Sequence, residues 1–255
     1  MKKLFFLYIL FLSTTVLFSQ NNTQLVFEKA NNLYKEGKYQ EAVKLYQEIE
    51  ATDAVSSALY YNLGNAYYKL NSVANTIYYY EKALLLDPLN TDVKNNLAFA
   101  KRMTIDRIEA LPQTFLQRLN ANYLQKLSYN QWALIAVICS FIAAILFLLF
   151  YASSISIKKR VYFLTSMFSF VLLIATTTIA YNQYQIKQSK KYAIVFASKT
   201  TVKNAPTINS DEVFELHEGT KVTVLDAVDD WKKIKLADGK IGWITANDIK
   251  MLTNN

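Results

Sequence analysis

The spacing of apolar and polar residues changes twice along the chain and divides it into three parts. Up to about residue 104, apolar positions recur at the spacing of one helix face. Two runs without a charged residue follow, Trp132–Tyr151 and Val161–Tyr181. From about Tyr192 apolar and polar residues alternate, as in Lys221–Leu225, which is typical of half-buried strands. The pattern predicts a multidomain α plus β protein: helices first, then two apolar helices, then a small all-β domain.

The helical part contains an internal repeat. Residues 57–90 repeat residues 23–56 at a spacing of 34, which indicates stacked helix pairs. The second block resembles the tetratricopeptide family at its signature positions, which are Tyr60, Leu63, Gly64, Tyr67, Tyr80, Ala83 and Pro88. The resemblance implies an α-solenoid of a kind that binds partners in a groove and rarely carries chemistry. Two repeats and part of a third are fewer than a stable solenoid needs. The missing burial must come from the segment that follows, from self-association or from a partner.

Tetratricopeptide arrays bind partners in a groove lined by the first helix of each repeat. The resemblance implies these partner-binding residues: Asn31, Tyr34, Tyr61, Asn62, Asn65, Tyr68 and Lys69. Asn31 and Asn62 match two positions of the clamp with which family members grip a C-terminal carboxylate, but Phe27 replaces one of its basic residues. We therefore expect an uncharged or extended segment, held by amide hydrogen bonds and ring contacts. Alternatively, the tyrosines pack between neighbouring helices.

The N-terminus and the two apolar runs predict a membrane protein. Met1–Ser19 has a basic start and an apolar run, the shape of a secretory signal peptide, with an uncleaved anchor helix as the alternative. Trp132–Tyr151 and Val161–Tyr181 are each long enough to cross a bilayer, although buried core helices would look similar. Lys158, Lys159 and Arg160 lie in the short loop between them and favour its cytoplasmic location.

The predicted location is therefore the cytoplasmic (inner) membrane, multi-pass, with both folded domains on the periplasmic side. Residues 105–131 contain apolar positions at helical spacing. They form either a cap on the repeats, which we favour, or a helix at the membrane surface.

Composition argues against two classes of function. The net charge is +8, but the excess flanks the apolar runs instead of one folded face, so no nucleic-acid partner is expected. The chain has one cysteine, Cys139 in an apolar run, and one histidine, His217. Because cell-wall hydrolases need a Cys–His pair or a metal cluster, we expect a non-enzymatic protein without a metal or cofactor.

The C-terminal part resembles bacterial SH3 domains. The matching stretches are Val202–Pro206, Leu216–Thr220, Asp230-Trp231 and Asp238–Ile244, where Asp238-Gly239 is also a strong hairpin signal. The resemblance implies a small barrel that binds peptides or cell-wall material, peptidoglycan included. Two tryptophans, Trp231 and Trp243, either form a binding surface or fill the core of the barrel.

The order of segments, with Asn65–Leu70, Glu81–Pro88 and Gly219–Asp226, resembles the E-type members of the Bat family, named for aerotolerance in Bacteroides. This resemblance implies a membrane-anchored scaffold beside partners with von Willebrand A domains. The predicted order is a signal peptide (1–19), tetratricopeptide repeats (20–104), an amphipathic cap or linker (105–131), a transmembrane helix (132–151), a cytoplasmic loop (152–160), a second transmembrane helix (161–181), a linker (182–191) and the SH3 domain (192–255). Two further hypotheses for the function of the protein are that it is a cell-wall anchor or that it is an enzyme.

Overall fold

The repeat region consists of consecutive helices in the computed structural model, which describes residues 23–189 and 191–252. These helices are α1 (residues 23–35), α2 (Tyr39–Glu50), α3 (Ser57–Lys69), α4 (Val73–Leu86) and α5 (Thr91–Ala100). The turn after α1 and the turn after α3 each contain a residue with positive φ, Gly37 at 81° and Asn71 at 58°. These two positions are 34 residues apart, so the sequence repeat is also a repeat of backbone conformation. The predicted signal peptide lies outside the described residues.

Small residues let the helices approach closely. Ala30, Ala42 and Ala83 are completely buried in one apolar cluster. A Cβ atom on Gly64 would lie 2.5 Å from the ring of Tyr80, so only glycine allows α3 and α4 their observed separation. The predicted helical region is thus confirmed.

The C-terminal strands form one antiparallel sheet, called here the β-domain (residues 191–252). Its strands are β1 (Lys191–Val195), β2 (Lys199–Lys203), β3 (Glu212–His217), β4 (Lys221–Val228), β5 (Trp231–Lys235), β6 (Ile241–Thr245) and β7 (Ile249–Met251). The order in the sheet is β3-β2-β6-β5-β4-β1-β7. The predicted turn at Asp238-Gly239 joins β5 to β6, with Gly239 at φ 95°. The sequence predicted a barrel, but in the described sheet the two end strands of this order, β3 and β7, are not paired with each other. The sheet is therefore open at these two edges.

The β-domain packs directly against α4. Ile194 and Leu252 are buried within the apolar cluster of the helices. Phe196 meets the ring of Tyr78 edge-on at 5.7 Å, and the Lys250 ammonium lies 4.4 Å from the same ring. The helices up to residue 110 and the strands from residue 191 accordingly form one compact unit. Part of the burial that two repeats lack therefore comes from the far end of the chain.

One carboxylate joins the linker after α5 to the β-domain. Asp106 accepts hydrogen bonds from the His217 backbone N–H (2.7 Å) and the Thr220 hydroxyl (2.6 Å), and its other oxygen lies 2.8 Å from His217 Nδ1. Burial raises the pKa of Asp106, but these bonds outweigh that effect and leave the pKa below its usual range. The single histidine therefore has a structural partner.

Residues 111–190 form a second compact unit. It contains α6 (Phe115–Asn122), α7 (Tyr129–Ala152) and α8 (Ser156–Ser189). The described faces of α7 and α8 meet through small residues, and the Ser166 and Ser169 hydroxyls donate to the Ala143 and Cys139 carbonyls at 3.0 and 2.9 Å. Of the 18 most apolar consecutive residues, only 6% are buried in α7 and 22% in α8. These helices therefore do not resemble the core of a soluble domain.

Two boundaries in this unit differ from the prediction. The predicted loop 152–160 is shorter, because α8 begins at Ser156 and includes the basic residues 158–160. The predicted linker 182–191 is helical up to Ser189. Segment 105–131 is divided between the two units at residue 110, and its function as a cap stays a prediction.

Candidate partner-binding site

The predicted groove residues lie along α1 and α3. All of them except Tyr61 line two cavities of about 300 and 210 Å³, which share Tyr34 and Asn65 and are therefore parts of one surface. We call it the polar groove and define it by Asn31, Tyr34, Asn62, Asn65, Tyr68 and Asn96. The charged residues lining the two cavities are Lys35 and Lys69, so the described walls are weakly cationic.

An asparagine–tyrosine–asparagine network occurs twice in this groove. In the first, Asn31 Oδ1 accepts from the Tyr46 hydroxyl (2.6 Å) and from Asn62 Nδ2 (2.9 Å). In the second, Asn65 Oδ1 accepts from the Tyr80 hydroxyl (2.7 Å) and from Asn96 Nδ2 (3.0 Å). Each member of the second network lies 34 positions after its counterpart in the first. The groove therefore contains two equivalent sets of two asparagines and one tyrosine, called here the first and second triads.

The geometry of each triad leaves one donor group and one acceptor group available. Asn31 and Asn65 use their side-chain oxygens, so their Nδ2 groups have no hydrogen-bond partner in the described part of the chain. Asn62 and Asn96 use their nitrogens, so their Oδ1 atoms likewise remain available among the described residues. A backbone peptide group also carries one donor and one acceptor. Each triad can therefore bind an extended segment regardless of its side chains.

Buried tyrosines hold the triads in place. Tyr46 and Tyr80 are each 1% exposed. Burial raises the pKa of Tyr46 to about 12, and burial also raises that of Tyr80. Both hydroxyls therefore remain protonated donors at physiological pH and fix the orientation of the asparagine that they contact. Neither tyrosine was among the predicted site residues, although their spacing of 34, together with that of Asn62 and Asn96, marks them in the sequence.

The remaining predicted residues differ in how they are held. Tyr61 accepts a hydrogen bond from Asn96 (3.2 Å), and its ring packs on Tyr80 with centroids 6.1 Å apart. Tyr34 contacts Tyr39 edge-on at 5.3 Å. Tyr68, in contrast, is 39% exposed, and Lys69 is exposed beside it. Tyr61 thus supports the second triad, whereas Tyr68 and Lys69 are accessible to a ligand.

The two predicted tryptophans of the β-domain lie on its outward face. In the β5–β6 pair, Trp231 is opposite Thr245 and Lys233 is opposite Trp243, while Ile234 and Ile244 point into the core. Both tryptophans are half-buried, and the Lys233 ammonium lies 5.7 Å from the Trp243 ring. Neither belongs to the apolar core cluster of the described sheet. The alternative that they fill the core is therefore wrong.

The β-domain is an all-antiparallel module of short strands joined by tight turns, in which two aromatic rings face outward and one of them, Trp243, lies near a lysine. Residues 198–250 match the family described as bacterial SH3 domain. The match covers all strands except β1 and the end of β7. A search of curated proteins gave no match to the chain.

Proposed function

We propose that this protein is a non-enzymatic, membrane-anchored scaffold whose polar groove binds an extended segment of another envelope or membrane protein. The observation that carries this proposal is the duplicated triad, because two equivalent donor–acceptor pairs on neighbouring helices suit two peptide groups of one strand-like segment. The residues lining the two cavities include two lysines and no carboxylate, which disfavours a basic ligand segment. In this proposal the helices are a tetratricopeptide solenoid and use no cofactor.

The proposal places α7 and α8 across the cytoplasmic membrane. Their length and apolar composition support two crossings, and the basic residues 158–160 at the start of α8 support a cytoplasmic connection. The polar groove and the β-domain then lie on the periplasmic side. The order of segments supports a BatE-like component of a Bat-type aerotolerance or stress complex, beside partners with von Willebrand A domains.

The groove is tested by in-cell cross-linking of a Tyr68→Ala, Lys69→Ala double variant. Both side chains are exposed and outside the triad hydrogen bonds, so the fold is expected to be unchanged. We expect cross-linked partner to fall about tenfold, since hot-spot side chains each contribute on the order of 1 kcal/mol or more. The matched control is Tyr123→Ala, Lys126→Ala, which removes the same residue types from exposed positions outside the groove. Equal capture by both variants would contradict the proposal.

Topology is tested separately with a reporter that is active only outside the cytoplasm. Fusions after Thr104 and after Asn255 should give signal, whereas a fusion at Ile157 should not. Signal at Ile157 together with silence at Asn255 would overturn the proposed hairpin.

A second candidate function is a cell-wall sensor or anchor that binds peptidoglycan through the β-domain. The observation that favours it is the outward position of Trp231 and Trp243 on adjacent strands, since exposed aromatic faces bind ligand rings and apolar faces well. Purified full-length protein should then be retained on peptidoglycan, and a Trp231→Ala, Trp243→Ala variant should not. If both proteins pass through unretained, this candidate function is wrong while the groove proposal is unaffected.

A further inference from the structure

A second cleft opens where the linker after α5 meets strands β4 and β5. Its volume is about 430 Å³, and it shares no lining residue with the polar groove. Four cations line it, each from a different position along the chain: Lys101, Arg107, Lys221 and Lys235. One carboxylate, Asp106, lines it as well. We call this site the cationic cleft.

Much of the charge in the cationic cleft is already paired. Both oxygens of Asp106 are used by His217 and Thr220. Lys221 contacts the buried carboxylate of Glu81 at 2.6 Å, and Lys101 contacts it at 3.5 Å. Four cations thus face two carboxylates, which leaves two positive charges in excess. Arg107 and Lys235 account for that excess, because neither has an ion pair within the described residues.

The polar groups that remain available in the cationic cleft are donors. The Arg107 guanidinium, the Lys235 ammonium and the Thr223 hydroxyl make no side-chain hydrogen bond in the part of the chain that the structure describes, and all three line the cleft. They come from the linker, β5 and β4, so they approach from three different segments. Donors that surround a site and carry two excess charges suit a tetrahedral dianion with several acceptor oxygens. A single planar carboxylate would leave one of those charges unmatched.

We propose that the cationic cleft binds a terminal phosphate group, either the phosphomonoester head group of phosphatidic acid or that of a soluble phosphate compound. Arg107 and Lys235 hold two of its oxygens, and the Thr223 hydroxyl donates to a third. This site is independent of the polar groove and goes beyond the scaffold function proposed above.

The test is titration of the full chain with inorganic phosphate, in a maltoside detergent that contains no phosphate. Calorimetry should show saturable binding at one site. An Arg107→Ala, Lys235→Ala variant should bind about five- to tenfold more weakly, as expected from the loss of two exposed charge contacts. The matched control is Lys94→Ala, Arg102→Ala, which also removes one lysine and one arginine, but from exposed positions outside the cleft. It should change the affinity less than about twofold.

The outcomes are distinguishable. Absence of saturable phosphate binding overturns the proposal, and so does equal weakening in the cleft and control variants. Binding of a hexaglutamate peptide that depends on Arg107, without binding of phosphate, also overturns it. Mixed micelles identify the source once phosphate binding is established. Phosphatidic acid that weakens the apparent affinity for phosphate assigns the site to a lipid head group, and an unchanged affinity assigns it to a soluble phosphate compound.

Discussion

Removal of the Asp106 carboxylate should weaken the attachment of the β-domain to the helical part of the chain. Asp106→Ala eliminates the two hydrogen bonds that Asp106 accepts from the His217 backbone and Thr220, and its contact with the His217 ring. The Asp106 side chain is only 13% exposed, so water replaces those partners poorly. Hydrogen bonds to charged groups are worth about 1.5–3 kcal/mol each before correction for exposure. Since such contributions are not additive, we expect a loss of about 3 kcal/mol.

Hydrogen exchange in the full chain measures this loss locally. If the β-domain separates from α4 more often, amides that only this contact shields from water should exchange about 100-fold faster, because 1.4 kcal/mol corresponds to about a factor of ten. Glu109→Ala is the matched control, since Glu109 is an exposed carboxylate three residues further along the same linker. Exchange rates that change equally in the two variants would refute the importance of Asp106.

The pH dependence of this effect has a defined sign. The pKa of Asp106 is lowered in the folded chain, where burial opposes the shift and the hydrogen bonds from Thr220 and His217 outweigh it. A carboxylate with a lowered pKa stabilises the fold fully when the pH is above its pKa in the unfolded chain, which is about 4. This contribution is lost as the pH falls through the pKa in the folded chain. The difference in stability between the natural chain and Asp106→Ala should therefore have its full value at pH 7 and become smaller below about pH 4. A difference that grew at acid pH would contradict the assignment.

Three further predictions concern the helices and the groove. Gly64→Ala should destabilise the helical domain by about 1–2 kcal/mol in thermal unfolding, because overlap with the Tyr80 ring costs more than the gain of about 1 kcal/mol in helix propensity. Tyr46→Phe should lower stability by about 1 kcal/mol and weaken partner capture, because Asn31 loses the donor that orients it. Partner capture should be constant from about pH 6 to 9, since the pKa of Tyr46 is raised to about 12, mainly by burial; a transition in that range would contradict neutral tyrosines in the triads.

Local patterns predicted the elements well because each element depends on short-range physics. The 34-residue repeat located the helices, and Gly64 indicated the close approach that the ring of Tyr80 confirms. Alternation and the Asp238-Gly239 turn located β5 and β6. The ends of α8 were less predictable, because charged residues 158–160 and polar residues after 181 were expected to end a membrane-spanning helix but continue the same helix.

Contacts between distant segments could not be predicted from one sequence. The open side of the repeats was expected to be covered by residues 105–131, by another copy or by a partner, yet Ile194 and Leu252 pack into the helical core. In the strands, the alternation of apolar and polar residues shows that one side is buried. It does not show which part of the chain covers that side. Tyr80 was noted only as a signature position of the repeat and Tyr46 was not singled out, since only the structure shows that their hydroxyls reach the groove asparagines.

The most direct test of the groove proposal is photo-cross-linking from single positions in intact membranes. A photoreactive phenylalanine analogue replaces Tyr68 in the polar groove or, in the control protein, exposed Lys44 on α2. We predict that the Tyr68 position yields one discrete adduct with an extended segment of another envelope protein, and that a synthetic peptide of this segment abolishes the adduct in competition. An adduct that forms equally from Lys44, or no adduct from Tyr68, would contradict the account.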